Sequence, residues 1–151
     1  RILHEDGLAD NGLPDRRIGQ DWFNSYTTFP MSLSPFFAHA LCDRLVAMWQ
    51  EMGRPGNVHV VEFGGGTGML ARDILRRSRD VHAEFYAAIS RYVIGERSRA
   101  MRLTHERTAA EFVASGKLLV VEADGRRAAA LRPLLEESAG APGQPLCGFV
   151  L

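Results

Sequence analysis

The chain has 151 residues, of which 46% are hydrophobic and 24% charged, values that fit one soluble globular domain. Its 18 basic and 18 acidic residues balance without a basic block, which gives no reason to propose a nucleic acid as partner. Because no apolar run is long enough for a membrane span and no signal peptide is visible, we expect no membrane association. The cysteines, Cys42 and Cys147, match no metal spacing, and nearly all basic residues are arginine, so we expect reduced thiols, no metal site and a bacterial cytoplasmic protein.

The N-terminal third of the chain divides into two predicted segments. Residues 1–20 are polar and rich in Gly and Asp, which predicts a loop or an extended arm. Residues 21–56 contain a Pro-interrupted stretch and then a helix, which Ser34 is predicted to cap and Gly53 to end. One face of this helix is predicted to be apolar and to comprise Phe37, Leu41, Leu45, Met48 and Met52.

Strands and helices alternate through the remaining segment, residues 57–151. The predicted strands are 57–63, 83–89, 117–123 and 146–151, and the predicted helices are 67–79, 91–115 and 126–138, the last broken near Pro133. Such alternation predicts a parallel α/β sheet, and the apolar strands fit burial on both faces. Because a buried strand is normally followed by further structure, we expect the sequence to be a fragment whose later strands follow Leu151.

The stretch "HVVEFGGGTGML", residues 59–70, places four glycines within five positions where the first strand passes into a helix. Glycine permits positive φ values and allows another molecule to approach the backbone closely. The amides at the start of the following helix suit a phosphate or a carboxylate. Since ligands of open α/β sheets bind beyond the carboxyl ends of the strands, we predict a ligand site at this turn.

Three interpretations of the turn are open. Gly66, Gly68 and Ala71 meet the dinucleotide pattern G-x-G-x-x-A, which would fit an NADP-dependent reductase. Glu62 followed by Gly64, Gly66 and Gly68 meets the pattern of an acid and G-x-G-x-G that is typical of S-adenosylmethionine (SAM) sites. A carboxylate suits the ammonium group of SAM and not a pyrophosphate, which favours SAM. The third interpretation is a turn that only packs the helix against the strand.

Residues 24–75 resemble the MidA-like family of SAM-dependent methyltransferases, which includes a mitochondrial complex I assembly factor. Three family motifs recur in order and spacing: D-F-T-x-P-E-x-S-x-x-F, a helix ending in W-x-x-x-G-x-P, and V-E-x-G-x-G-x-G-x-L-x-x-D-I-L. The matching residues are Tyr26, Thr28, Pro30 and Phe36, then Trp49, Gly53 and Pro55, then Glu62, Gly64, Gly66, Gly68, Leu70, Asp73, Ile74 and Leu75. The resemblance implies a Rossmann-like class I methyltransferase sheet with helices on both faces, with residues 21–56 covering the cofactor and 57–151 supplying the SAM-binding half-domain.

The resemblance also implies where SAM is held. The family has an acid near the end of the second strand, followed two residues later by Ser, and such an acid typically holds the ribose. Aligned on Ser90, that position is Ala88, so Ser90 is expected to contact the ribose, and Asp124 is expected to contact the adenine. The predicted cofactor-binding residues are Tyr26, Thr28, Pro30, Glu62, Gly64, Gly65, Gly66, Thr67, Gly68, Ser90 and Asp124.

The sequence therefore predicts a SAM-dependent methyltransferase that acts on a protein side chain or on a small-molecule, natural-product acceptor. No catalytic base is identified within the chain. The alternatives are an NADP-dependent reductase and a non-catalytic methyltransferase-like domain that binds a partner. The absent ribose acid is the main argument for the non-catalytic alternative.

Overall fold

The computed structural model describes residues 34–139 and 146–151 of the chain. The predicted arm at 1–20 and the predicted site residues Tyr26, Thr28 and Pro30 lie outside this part. Helices and strands alternate along it as α1 Phe36–Glu51, β1 Val58–Phe63, α2 Met69–Val81, α3 Ala83–Ala88, β2 Ile89–Gly95, α4 Arg99–Thr108, α5 Ala110–Ala114, β3 Leu118–Val121, a 3-10 helix Gly125–Leu131, α6 Arg132–Ala139 and β4 Cys147–Val150. None of the described helices is long and apolar enough to cross a bilayer.

The four strands form one parallel sheet in the order β3-β2-β1-β4. Val61 of β1 lies between Val93 of β2 and Val150 of β4, which fixes the register at the centre of the sheet. Helices accompany these strands, so the predicted α/β fold of a Rossmann-like methyltransferase is confirmed. The chain passes from β1 outward to β3 and returns to the other side of β1 as β4, which makes the carboxyl end of β1 the topological switch point.

Helix α1 packs against α2 and joins the hydrophobic core through an apolar face that differs partly from the predicted one. Leu45 is buried as predicted, but Met52 is 45% exposed because the helix ends one residue before it. The buried residues of α1 are Ala38, Cys42, Leu45, Val46 and Trp49. The prediction that Ser34 caps α1 is wrong, since its hydroxyl donates to the carboxylate of Asp73 on α2. Gly53 follows the helix with a φ of 83°, consistent with its predicted role at the helix end.

The second strand is where the sequence prediction was wrong. Residues 83–88 form helix α3, and the strand occupies residues 89–95, of which 91–95 were predicted to begin a helix. The aromatic residues in this segment, which suggested a strand, lie on helix α3. The ring of Phe85 packs against that of Trp49 on α1, with the ring centroids 5.5 Å apart. The second and third residues of the strand, Ser90 and Arg91, are polar, which hid its character. Ser90 donates to the side chain of Asn57, and Arg91 donates to the carbonyl of Gly116.

The remaining elements follow the prediction more closely. The predicted helix 91–115 is reduced to α4 and α5, of which α5 ends just before Gly116, a residue with a φ of 71°. The predicted helix 126–138 is a 3-10 turn that continues into α6 at Arg132. Both Cys42 and Cys147 are free thiols.

Candidate functional site

The glycine turn between β1 and α2 lies at the carboxyl edge of the sheet. Its Gly64 amide donates to the carbonyl of Gly95, the last residue of β2, at 3.0 Å. The Glu96 amide in turn donates to Val121, the last residue of β3, at 3.0 Å. The ends of three neighbouring strands are therefore joined around the turn, which places the residues that follow β2 and β3 beside it.

Glycine is required in the turn for two different reasons. Gly66 has a φ of 55°, but a Cβ added there would meet no atom within 4 Å. Backbone conformation alone therefore demands glycine at this position, and the space around it is open. Gly68 has a φ of 80°, and a Cβ there would lie 3.1 Å from the Cα of His105, so packing against α4 also demands glycine. The turn is therefore open at Gly66 and tightly packed against α4 at Gly68.

Glu62 lies beneath the turn, with only 5% of its surface exposed. Its Oε2 accepts a hydrogen bond of 2.7 Å from the Tyr92 hydroxyl, a buried group on β2. Burial raises the pKa of Glu62 to about 7, although the bond from Tyr92 opposes the shift. Near neutral pH this carboxyl is therefore poised between its neutral and charged forms, and a cation placed nearby would favour the charged form.

His105 of α4 supports the turn from the other side. The side chain is fully buried, and its Nε2 lies 2.8 Å from the carbonyl oxygen of Gly66. Burial lowers the pKa of His105. The Thr67 hydroxyl is also buried, and neither it nor Nδ1 of His105 has a hydrogen-bond partner within the described part of the chain. His105 was not predicted as a site residue, because it lies 39 positions from its partner in the sequence.

Glu96, which sequence reasoning also missed, follows directly after β2 at the same edge. One of its carboxylate oxygens, Oε1, accepts a hydrogen bond of 2.9 Å from the Ser98 amide, and the side chain is half-buried. Glu96 and Ser98 reproduce the acid and the Ser two residues later that were sought in the second strand. The signal was present in the sequence, but it was hidden by placing the strand six residues too early.

The assignment of Ser90 to the ribose site is therefore wrong. Ser90 lies at the start of β2 beside Asn57, at the amino edge of the sheet and opposite to the glycine turn. Ala88, the position assigned to the missing acid, ends helix α3 and is 7% exposed in the core. The alignment that placed the ribose acid at Ala88 therefore does not fit the structure, because Ala88 precedes β2 and does not lie at its carboxyl end.

Asp124 lies near the turn, in the segment after β3. A Cβ on the adjacent Gly125 would lie 3.3 Å from the ring of Phe63, the residue just before the turn. One carboxylate oxygen of Asp124 accepts from the Arg126 amide at 3.0 Å, and the Arg126 guanidinium pairs with the carboxylate. This pairing lowers the pKa of Asp124 to about 2. Asp124 therefore caps the 3-10 helix, and its predicted contact with adenine stays a prediction.

Within residues 34–139 and 146–151, one grouping has the composition of a metal site: Cys42, Asp43 and His82. Both oxygens of Asp43 already accept hydrogen bonds of 2.8 Å from Arg77. A cation at this position would compete with the guanidinium for the same oxygens. This grouping is therefore better explained as an ion-pair network.

The fold and the turn define a methyltransferase-like α/β domain, and comparison with known proteins specifies the family. The chain belongs to a family of S-adenosyl-L-methionine-dependent methyltransferases, whose model matches residues 40–137. It is also similar to a COG1565 superfamily member from Burkholderia thailandensis, whose crystal structure contains S-adenosyl-homocysteine. That similarity has 26% identity and a TM-score of 0.47, and it covers 60% of this chain and 22% of that chain. Family membership confirms the resemblance drawn from the sequence and identifies SAM as the cofactor of the family.

Proposed function

We propose that the protein is a SAM-dependent methyltransferase and that this chain supplies the SAM-binding half of its site. The observation that carries the proposal is the open, positive-φ glycine turn at the switch point of the sheet, with acids following β2 and β3 at the same edge. Gly64 and Gly66 offer open space where a side chain would otherwise stand. Such a turn fits a cofactor that lies against the backbone.

Each acid at this edge has a different proposed role. Glu62 lies beneath the turn and would stabilise the cationic amino-acid end of SAM through its charge. Glu96, at the end of β2, would accept hydrogen bonds from the ribose hydroxyls, the role that the family assigns to an acid at this position. Asp124 would contact the adenine with the part of its carboxylate that Arg126 leaves accessible. Gly64, Gly65, Gly66, Thr67 and Gly68 would surround the cofactor from the backbone side.

SAM supplies a methyl group on a sulfonium centre, and its transfer is an in-line displacement whose rate depends strongly on the placement of donor and acceptor. The residues proposed here hold the donor. We propose a protein side chain or a small-molecule, natural-product intermediate as acceptor, and the bacterial cytoplasm as location. The electrostatic argument at Glu62 disfavours an NADP-dependent reductase, because a buried acid beside the turn would repel a pyrophosphate.

Calorimetric titration of the full-length protein with SAM, S-adenosyl-homocysteine and NADPH tests the proposal. We expect binding of SAM and S-adenosyl-homocysteine and no binding of NADPH. Binding of NADPH alone would establish the reductase alternative. Absence of binding by all three ligands would favour the non-catalytic, partner-binding alternative.

A further inference from the structure

His105 forms a directional contact with the glycine turn. A carbonyl oxygen can only accept, so the 2.8 Å contact with the Gly66 carbonyl requires the hydrogen of the neutral imidazole to be on Nε2. Nδ1 then carries the lone pair, and it is buried without a hydrogen-bond partner in residues 34–139 and 146–151. Burying an unpaired nitrogen is unfavourable, so an apolar residue would serve better if this position only filled space.

A second contact fixes the same turn from the same helix. The Cα of His105 would lie 3.1 Å from a Cβ at Gly68, and its ring carbon Cδ2 would lie 3.4 Å from it. The backbone of α4 therefore packs directly on Gly68, while the ring reaches Gly66 two residues earlier. Two points of contact, one steric and one a hydrogen bond, hold the peptide units between these glycines in one orientation.

The orientation of the peptide between Gly66 and Thr67 determines which group the turn presents on its open side. In a trans peptide the carbonyl and the amide point in opposite directions. Because the Gly66 carbonyl points toward His105, the Thr67 amide points away from α4. Among the described residues this amide makes no backbone hydrogen bond. Thr67 is itself buried, with 1% of its surface exposed, so the open side of the turn is formed at Gly66, where a Cβ would meet no atom within 4 Å.

We propose that His105 is a positioning residue that fixes the Gly66–Thr67 peptide, so that the Gly66 carbonyl points away from the open side of the turn, where the cofactor would bind. The inference rests on the proposed function for its ligand, although the contact itself exists in the chain alone. Without the donor at position 105, the carbonyl is free to rotate toward the open side, where it would repel an anionic or acceptor group.

Two substitutions of matched shape separate hydrogen bonding from packing. His105→Gln retains a neutral donor on a flexible side chain, and His105→Met has a similar length without a donor. Phe112→Leu is the control, because Phe112 is buried in α5 within the same core and its ring contacts Tyr86 and Arg79. For each full-length variant we would measure amide hydrogen exchange of residues 62–70 without cofactor, and SAM affinity by calorimetry.

We expect His105→Met to accelerate exchange of the turn and to weaken SAM binding by about tenfold, the effect of one neutral hydrogen bond. His105→Gln should stay close to the wild type in both measurements, and Phe112→Leu should lose thermal stability while leaving both unchanged. Equal behaviour of the Gln and Met variants would overturn the proposal. If the wild type fails to bind SAM but the turn of His105→Met still exchanges faster, the proposed function fails and the positioning role stands.

A measurement without any substitution tests the same contact. Nitrogen chemical shifts of the imidazole in the wild-type protein report which ring nitrogen carries the hydrogen. We expect the Nε2–H tautomer at neutral pH. The Nδ1–H tautomer would overturn the proposal even if the Met variant failed to fold, because no hydrogen would then be available for the Gly66 carbonyl.

Discussion

The face formed by α1 and α2 and the edge that bears the glycine turn each contain a carboxyl group whose surroundings can be compared atom by atom. Asp43 on α1 is 45% exposed at its side chain and accepts from Arg77 through both oxygens and from His82, each at 2.8 Å. Glu62 is 5% exposed and accepts one hydrogen bond, from the neutral hydroxyl of Tyr92.

The two environments shift the pKa of a carboxyl in opposite directions. Hydrogen bonds from Arg77 hold the pKa of Asp43 at about 2, whereas burial raises the pKa of Glu62 to about 7. The charge of Asp43 is thus neutralised within the protein, while the charge of Glu62 has no cationic partner among the described residues. A carboxyl left in this state is what a site for a cationic ligand requires. The two regions therefore differ: the charge of Asp43 is compensated within the protein, and we propose that a bound cation compensates the charge of Glu62.

The largest effect on SAM binding is expected from a substitution that disrupts the backbone conformation of the glycine turn. Gly66→Val places a β-branched residue at a φ of 55° and fills the open side of the turn, so SAM binding should be abolished. Gly53→Val is a matched control, because Gly53 also has a positive φ of 83° and open space, but it follows α1. Both variants should lose about 2 kcal/mol of stability from backbone strain.

Thermal melts of the wild type and of both glycine variants, each with and without SAM, check this expectation. Gly53→Val should be stabilised by SAM as much as the wild type, and Gly66→Val should not respond. A Gly66→Val protein that SAM stabilises normally would show that the turn only packs α2 against the sheet.

The next effect concerns the pH dependence of stability at Glu62. Its pKa is raised from 4.5 to about 7, so the folded state binds the proton more tightly than the unfolded state. Stability should therefore be highest below about pH 4.5 and fall as pH rises toward 7, by up to about 3 kcal/mol. Glu62→Gln keeps an acceptor for Tyr92 and removes the titration. Denaturant unfolding of both proteins from pH 5 to 8 gives the difference curve.

A flat difference curve between the wild type and Glu62→Gln would contradict a raised pKa. SAM binding provides an independent check, because a cation near Glu62 favours the charged carboxylate. Calorimetry near pH 6.5 in two buffers of different ionisation enthalpy should detect a proton released on binding to the wild type. The Glu62→Gln variant should release none.

A smaller effect is expected at Glu96. Glu96→Gln removes a charge-assisted hydrogen bond to the ribose and should weaken SAM binding about ten- to a hundredfold. Glu84→Gln is the charge-matched control, because Glu84 is exposed on α3 near the amino edge and pairs only with Arg54 among the described contacts. Calorimetric titration of each variant measures the loss. Equal affinities for the two variants would mean that Glu96 does not hold the ribose.

How much of the fold and of the candidate site can be predicted from the sequence depends on whether a feature is determined by one residue or by residues that are far apart in the chain. The glycine turn and the helix ends at Gly53 and Gly116 were predicted, because a positive φ is a local demand on a single residue. The second strand was misplaced because Ser90 and Arg91 look unfavourable at the start of a buried strand. Their partners, Asn57 and Gly116, lie 33 and 25 residues away in the sequence.

The misplacement of the second strand also led to an error in the predicted site residues. Glu96 can be recognised as an edge residue only when β2 is known to end at Gly95. His105 illustrates a harder limit, since its role depends on the packing of α4 against Gly68, which no local pattern in the sequence encodes. Sequence reasoning thus found the backbone of the candidate site. It missed Glu96 because the strand was misplaced, and His105 because the role of that residue depends on tertiary packing.

The smallest effect is expected at Asp43, and its sign is opposite to that at Glu62. A depressed pKa contributes stability that is present above pH 3.8 and is lost as pH falls toward about 2. Because the side chain is 45% exposed, solvent screens the pair with Arg77, and Asp43→Asn should cost less than about 1 kcal/mol at neutral pH. Urea unfolding at pH 7 in low and in high salt measures this cost.

The salt dependence of stability tests whether the pair of Asp43 and Arg77 behaves as an exposed surface ion pair. The stability difference between the wild type and Asp43→Asn should shrink as salt increases, because exposed charges are screened within about 8–10 Å at physiological ionic strength. The difference attributed to Glu62 should respond little to salt, because its carboxyl is buried. A salt-independent loss of several kcal/mol at Asp43 would mean that the α1–α2 face is held by this network, and the contrast between the two regions would fail.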